Sequence, residues 1–255
     1  MAAIATRVLR KAWRVGRSAV AKTTRQRGAA SPAAPTLETS TLMWHALPSC
    51  APLQTFRSPA PFGGRVTLIA DRFDADFAAG SALEAAAVLA VLLCSERRPV
   101  LRIVTRREPA DPSALDRVRQ AAQTRWPGDP QFVYAPIGST DGWIDIVDDE
   151  LFVSVGWEAT VAARGAVPAA ALRHLVADDE RSGLSGEPLA VCDALLRDRS
   201  VRRVLGSRAL LDRLAADGLA GAGFDDLVVD LGAAGTAAPR PWRETFAALL
   251  ARAAH

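Results

Sequence analysis

Cysteine and histidine are scarce in this chain. Cys50, Cys94 and Cys192 stand far apart among 255 residues, and His45, His174 and His255 supply the imidazoles. No C-x-x-C pair occurs, and three separated thiols without a secretory signal describe a reduced, cytoplasmic setting rather than a disulfide framework. With His45 in a linker, His255 terminal and His174 inside a strand-like run, no zinc constellation is expected. Long apolar runs are also missing: the longest, Ala85 to Cys94, is half of the roughly 20 residues that a bilayer-spanning helix needs. The glycine signatures of dinucleotide and P-loop sites, G-x-G-x-x-G and G-x-x-x-x-G-K-[ST], are absent, so no cofactor is expected. There is no G-x-S-x-G and no cysteine with a histidine close in sequence, which leaves nucleophilic hydrolysis unsupported.

Acid is missing from one end of the chain. The first 40 residues carry eight basic residues against the single Glu38, while the remainder holds 23 basic and 27 acidic residues. The basic balance belongs to the tail and not to the folded part, which argues against a nucleic-acid-binding domain. Within residues 1–27, Ile4, Val8, Leu9, Ala12, Trp13 and Val20 alternate with cations at roughly helical spacing. That pattern fits a basic amphipathic helix lying on an anionic membrane surface, a solvated tail, or an Arg-rich targeting segment. Residues 28–63, rich in Ala, Pro, Ser and Thr, read as a linker.

What is present from Gly64 onward is a regular alternation. Val66–Ala70 is a β-rich run, and Ser81-Ala-Leu-Glu84 forms a capping box at the start of an apolar helix from Ala82 to about Arg97. Val100–Val104 is the next strand, and Asp111-Pro112-Ser113 opens a helix to about Arg125. Strands at Phe132–Tyr134, Leu151–Val155, Leu172–Val176 and Val201–Leu205 follow, with helices over Glu158–Arg164, Pro188–Arg197 and Ser207–Asp217. Leu227–Asp230 adds an edge strand and Trp242–Ala254 a closing helix. Strands and helices at this spacing imply right-handed crossovers and a mostly parallel sheet, hence one Rossmann-like α/β domain over residues 64–255.

Open parallel sheets bind ligands beyond the carboxyl ends of their strands. The residues to weigh are therefore Asp71 and Arg72, Thr105 to Arg107, Gly156 and Trp157, Asp178 to Glu180, and Gly206 and Ser207. Gly80 and Ser81 could direct backbone N–H groups at a helix N-terminus towards an anion or a sugar hydroxyl. Arg106 could grip a carboxylate or phosphate in a planar fork. Asp178-Asp179-Glu180 is the strongest acid cluster and could serve as general base on a hydroxyl or hydrogen-bond sugar hydroxyls. No further ligand set accompanies it, so no metal is expected. Trp157 could stack on a sugar ring.

In order, Val66-Thr-Leu-Ile-Ala-Asp-Arg-Phe73, Phe77-Ala-Ala-Gly80, Leu101-Arg-Ile-Val-Thr-Arg106, Asp149 to Thr160 and Leu172 to Glu180 resemble the N-terminal domain of WsaF-like rhamnosyltransferases. These are GT-B glycosyltransferases of bacterial surface-polysaccharide assembly, and the resemblance covers roughly Arg65 to Leu219. It implies an acceptor-side domain in which Gly80, Trp157, Asp178 and Glu180 face the interdomain cleft. Asp178 and Glu180 would then be catalytic, and Gly80, Ser81, Arg106, Trp157 and Asp179 would bind substrate. The implied partners are a glycan acceptor and a donor-domain protein, because the roughly 36 residues after Leu219 fall short of a second Rossmann-like domain. Two departures stand out: Ala78-Ala79-Gly80 replaces a Gly-Gly pair, and Asp178-Asp-Glu180 replaces a Gln-Asp-aromatic-Glu sequence. The competing expectation is a non-catalytic binding or scaffold module on the same fold. The expected location is cytoplasmic, peripheral at the inner membrane face.

Overall fold

Strand Arg65–Ala70 (β2) has no exposed residue, the mark of a strand covered on both faces in a parallel sheet. It lies at the centre of the computed structural model, which describes residues 47–58, 64–76, 81–96, 100–122, 128–140 and 142–228. The expected tail helix, the Phe77–Gly80 turn and the Trp242–Ala254 helix lie outside the described residues.

Around β2 are Val100–Thr105 (β3), Gln131–Tyr134 (β4), Glu150–Val155 (β6), Leu172–Val176 (β7), Arg202–Leu205 (β8) and Asp226–Val228 (β9). The seven strands run in the order β4-β3-β2-β6-β7-β8-β9, each pair parallel. The chain works outward from β2 to β4, then returns beside β2 and works outward the other way. This is the doubly wound Rossmann order, and its reversal lies between β2 and β6.

Five helices cover the sheet: Ala82–Glu96 (α1), Ala114–Ala122 (α2), Trp157–Arg164 (α3), Gly186–Arg197 (α4) and Arg208–Ala216 (α5). Val66, Leu68, Leu101, Ile103, Val153, Leu175 and Val204 form one core with α1 and α2. Ile69, Val104, Phe152 and Leu172 meet α3 and α4 on the opposite face. The period of two along each strand divides its side chains between these layers. All ten residues from Ala85 to Cys94 are buried, as the apolar run implies. Its start is capped: the Glu84 N–H donates to Ser81 Oγ at 3.2 Å.

The second half of the expected linker is structured. Gln54–Arg57 (β1) pairs in parallel with Trp143–Ile146 (β5) as a separate two-stranded sheet. Cys50 and Leu53 are buried in the core beneath it. The Leu53 N–H donates to the Ala162 carbonyl at 3.2 Å, and Thr55 Oγ1 to the Ala166 carbonyl at 3.1 Å. So short a strand between prolines shows no period that sequence alone could separate from a linker.

At the amino ends of the strands lies a buried ionic knot. Arg65 donates to both Glu150 oxygens at 2.9 and 2.8 Å and to the Asp145 carboxylate at 2.9 Å. Arg102 donates to Glu150 at 2.6 Å and to Asp145 at 2.8 Å, and both guanidinium groups reach the Asp145 carbonyl at 2.7 Å. The Thr67 hydroxyl also donates to Glu150. The knot ties β5 to β2, β3 and β6, and satisfies charges that could not otherwise be buried.

Candidate site at the strand reversal

The strand order places the ligand-binding crevice of this fold at the carboxyl ends of β2 and β6. Three chain segments meet there. Asp71, the residue after β2, accepts from the Arg106 and Arg107 N–H groups through its carbonyl, at 3.3 and 2.9 Å. Its carboxylate takes Arg106 Nη1 at 3.2 Å and Arg107 Nε at 2.9 Å. Arg107 continues to Glu158, in the first turn of α3, with Nη2 at 2.7 Å from the carboxylate. Arg107 therefore links the exits of β2, β3 and β6. Its hydrogen bonds to Asp71 and then Glu158 raise its pKa above the usual arginine value.

Between β6 and α3 the chain turns at Gly156, whose φ of 83° lies where side-chain-bearing residues are strained. Added to Gly156, a Cβ would meet nothing within 4 Å, so the turn is open above. Thr160 secures it from below by donating to the Gly156 carbonyl at 2.9 Å. Trp157 is half-buried against both the α3–α4 core and the neighbouring apolar cluster at β7, β8 and α5.

The three acids after β7 have separate surroundings. Asp178 is exposed. Asp179 accepts from Arg181 at 2.8 and 2.7 Å, and this arginine holds the Asp179 carboxyl below its ordinary pKa. Arg181 also meets Asp217 at 2.7 Å. Glu180 lies 3.1 Å from Nε2 of His174. His174 is fully buried within β7, and its Nδ1 has no partner among the described residues.

Of the sequence-predicted site residues, Trp157 falls at the strand reversal, Arg106 follows β3 there but turns inward to the Ser49 carbonyl, Ser81 caps α1, and Asp178, Asp179 and Glu180 share the loop after β7. Gly80 lies outside the described residues. Arg106 is 1% exposed and packs inward, away from the solvent-facing position of Arg107. Sequence reasoning placed Asp71 and Arg107 on the rim but missed Glu158, which stands three residues beyond the end of β6 and contributes through the helix start. Among the described residues, no group of three His, Cys, Asp or Glu side chains is arranged to hold a metal ion, and no helix is long and apolar enough to cross a membrane.

The strand exits thus carry paired charges, an open glycine turn and, on the adjacent loop, the exposed carboxylate of Asp178. No protein-family model matches the chain, and no curated protein matches it.

Proposed function

We propose that this domain holds the glycan acceptor of a sugar-transfer reaction, as the acceptor-side half of a GT-B rhamnosyltransferase-type enzyme of surface-polysaccharide biosynthesis. A nucleotide-sugar donor would be held by a second Rossmann-like domain across the cleft. The observation that supports this reading is the polar cluster at the β2/β6 reversal, where Arg107 joins Asp71 to Glu158 beside the half-buried Trp157. In this reading Asp178 accepts the hydrogen bond of the acceptor hydroxyl, and Glu180, held by His174, fixes the loop that presents it.

Calorimetric titration of the purified chain with rhamnose and a rhamnosyl disaccharide tests the reading. Saturable binding that weakens in Arg107→Ala is expected, with no sugar transfer until a donor domain is added. Transfer by the chain alone, or absence of binding, would overturn it.

A binding module without catalysis is the second reading, favoured by the internal pairing of Asp179 with Arg181 and of Glu180 with His174. It gains if Asp178→Asn and Glu180→Gln leave turnover unchanged in the complex with a donor domain. Residues 1–27 are proposed to contact the anionic inner face of the membrane. Co-sedimentation with phosphatidylglycerol-containing vesicles that persists after their removal would refute that role.

A further inference from the structure

The two edges of the seven-stranded sheet are unlike. β9 begins at Asp226, whose carboxylate is held by Arg203. β4 is Gln131-Phe-Val-Tyr134, exposed at both ends and half-buried between, and no charged side chain occurs from Gln131 to Pro136. Natural edge strands are commonly guarded by charge, by proline within the strand or by a covering element. Here the prolines stand outside the strand, at Pro130 and Pro136, and limit it to four residues without blocking the edge between them.

Backbone direction shows what that edge offers. Along a parallel pair, successive residues turn their N–H and C=O groups alternately towards and away from the neighbouring strand. The Ala135 N–H donates to the Thr105 carbonyl at 2.9 Å, and β3 pairs with β4 from Arg102↔Gln131 to Thr105↔Tyr134. Gln131 and Val133 therefore address β3, while Phe132 and Tyr134 direct their backbone groups outward. β4 is the last strand in the order, so among the described residues no strand meets those groups. The side chains divide as well. Phe132 joins the α1–α2 core and Val133 the opposite one. Tyr134, 41% exposed, stands on the Phe132 face and donates its hydroxyl to the Arg107 carbonyl at 3.2 Å.

We propose that β4 is a self-pairing edge that joins two copies of this chain through an antiparallel, two-fold β4–β4 contact centred on Val133. Phe132 then lies opposite the partner's Tyr134, and Tyr134 opposite the partner's Phe132. Each copy presents two outward N–H groups and two outward carbonyls, which together close four hydrogen bonds. Both of these pairs are aromatic and share one face, while Val133 meets the partner's Val133 on the other, combinations that favour cross-strand pairing. Gln131 faces the partner's Ala135, so no like charges oppose. A contact of this length buries less than the roughly 1,000 Å² that a stable interface clears, so the dimer is weak and forms as concentration rises. It does not rest on the glycan reading.

Sedimentation velocity of the full chain from about 30 μM to about 1 mM tests the contact, together with amide hydrogen exchange followed by NMR at both ends of that range. A reversible monomer–dimer equilibrium is expected. The Phe132 and Tyr134 amides should exchange quickly in the dilute protein and slow at least tenfold in the concentrated one, whereas Val133 and Ala135, already bonded to β3, should be protected in both. Tyr134→Pro removes one outward donor from each copy, leaves the β3 ladder intact and should weaken association at least tenfold. Tyr134→Phe keeps the aromatic pairs and every backbone bond and should dimerise as the native chain does, which separates loss of pairing from loss of the Arg107 contact. If Tyr134→Pro does not fold, the exchange pattern of the native chain decides. A chain that stays monomeric throughout, a dimer whose Phe132 and Tyr134 amides still exchange quickly, or association that survives Tyr134→Pro would overturn the proposal.

Discussion

Replacing Glu150 by Gln tests the physical account of this fold most directly. The Glu150 side chain is 0% exposed and lies between guanidinium groups that are 2% and 1% exposed. Gln keeps the shape but removes the charge and turns an amide donor towards a cluster of donors. Asp145, 31% exposed, is then the one carboxylate left for two buried cations. Removing one partner from a buried pair costs about 3–5 kcal/mol, since the cost is that of leaving charge uncompensated. For a domain of this size each kcal/mol moves Tm by about 2–4 °C, so a fall of roughly 6–20 °C is expected. Urea denaturation followed by circular dichroism should show a lower midpoint with an unchanged slope. In Arg102→Met/Glu150→Gln the loss should be smaller than the sum of the single losses, because the second change removes a charge that the first had stranded. A loss below about 1 kcal/mol in Glu150→Gln would refute the argument that the knot is internally compensated.

Gly156→Ala should cost about 1–3 kcal/mol, all of it backbone strain, since an added Cβ meets nothing within 4 Å; a neutral result in thermal unfolding would show that the turn relaxes freely. The depressed pKa of Asp179 means that its ion pair stabilises the fold above the ordinary aspartate value of 3.8 and loses that contribution as the pH falls through the lower folded value. The Tm difference between the native chain and Asp179→Asn should accordingly hold steady near neutrality and shrink below pH 3.8, and a gap that widens in acid would contradict the assignment. Burial pushes the Cys50 thiol up to about 11 and raises that of Cys192 as well. Both should resist a disulfide exchange reagent at pH 8 until denaturant is added, so rapid stoichiometric labelling of either in the native chain would count against the packing described.

Much of the architecture was legible along the chain. Near-continuous runs such as Val66–Ala70 and Leu172–Val176 can be accommodated only where both faces are covered, and their spacing with helices dictates parallel crossovers. Ser81 announced its helix start through local hydrogen-bond chemistry. β1 and β5 carried no such signal: four residues are too few to display a period, and their placement depends on the distant Ala166 carbonyl that binds Thr55 and on the knot that holds Asp145.

The site divides in the same way. That Asp71, Arg106 and Arg107 follow strands could be read from the sequence, because a strand exit in a parallel sheet is a place on the rim. Which side chain faces solvent and which is enclosed could not. Arg106 and Arg107 are adjacent in sequence yet project to different environments, one beneath the 47–54 segment and the other across to Glu158. Asp178, Asp179 and Glu180 likewise separate into an exposed acid, an arginine-bound acid and a histidine-bound acid. Local sequence determined the elements and their order, since periodicity and capping act over a few residues. The tertiary structure decided the partners of these charges, since Asp71 and Arg106 or Arg65 and Glu150 meet only when the sheet is assembled.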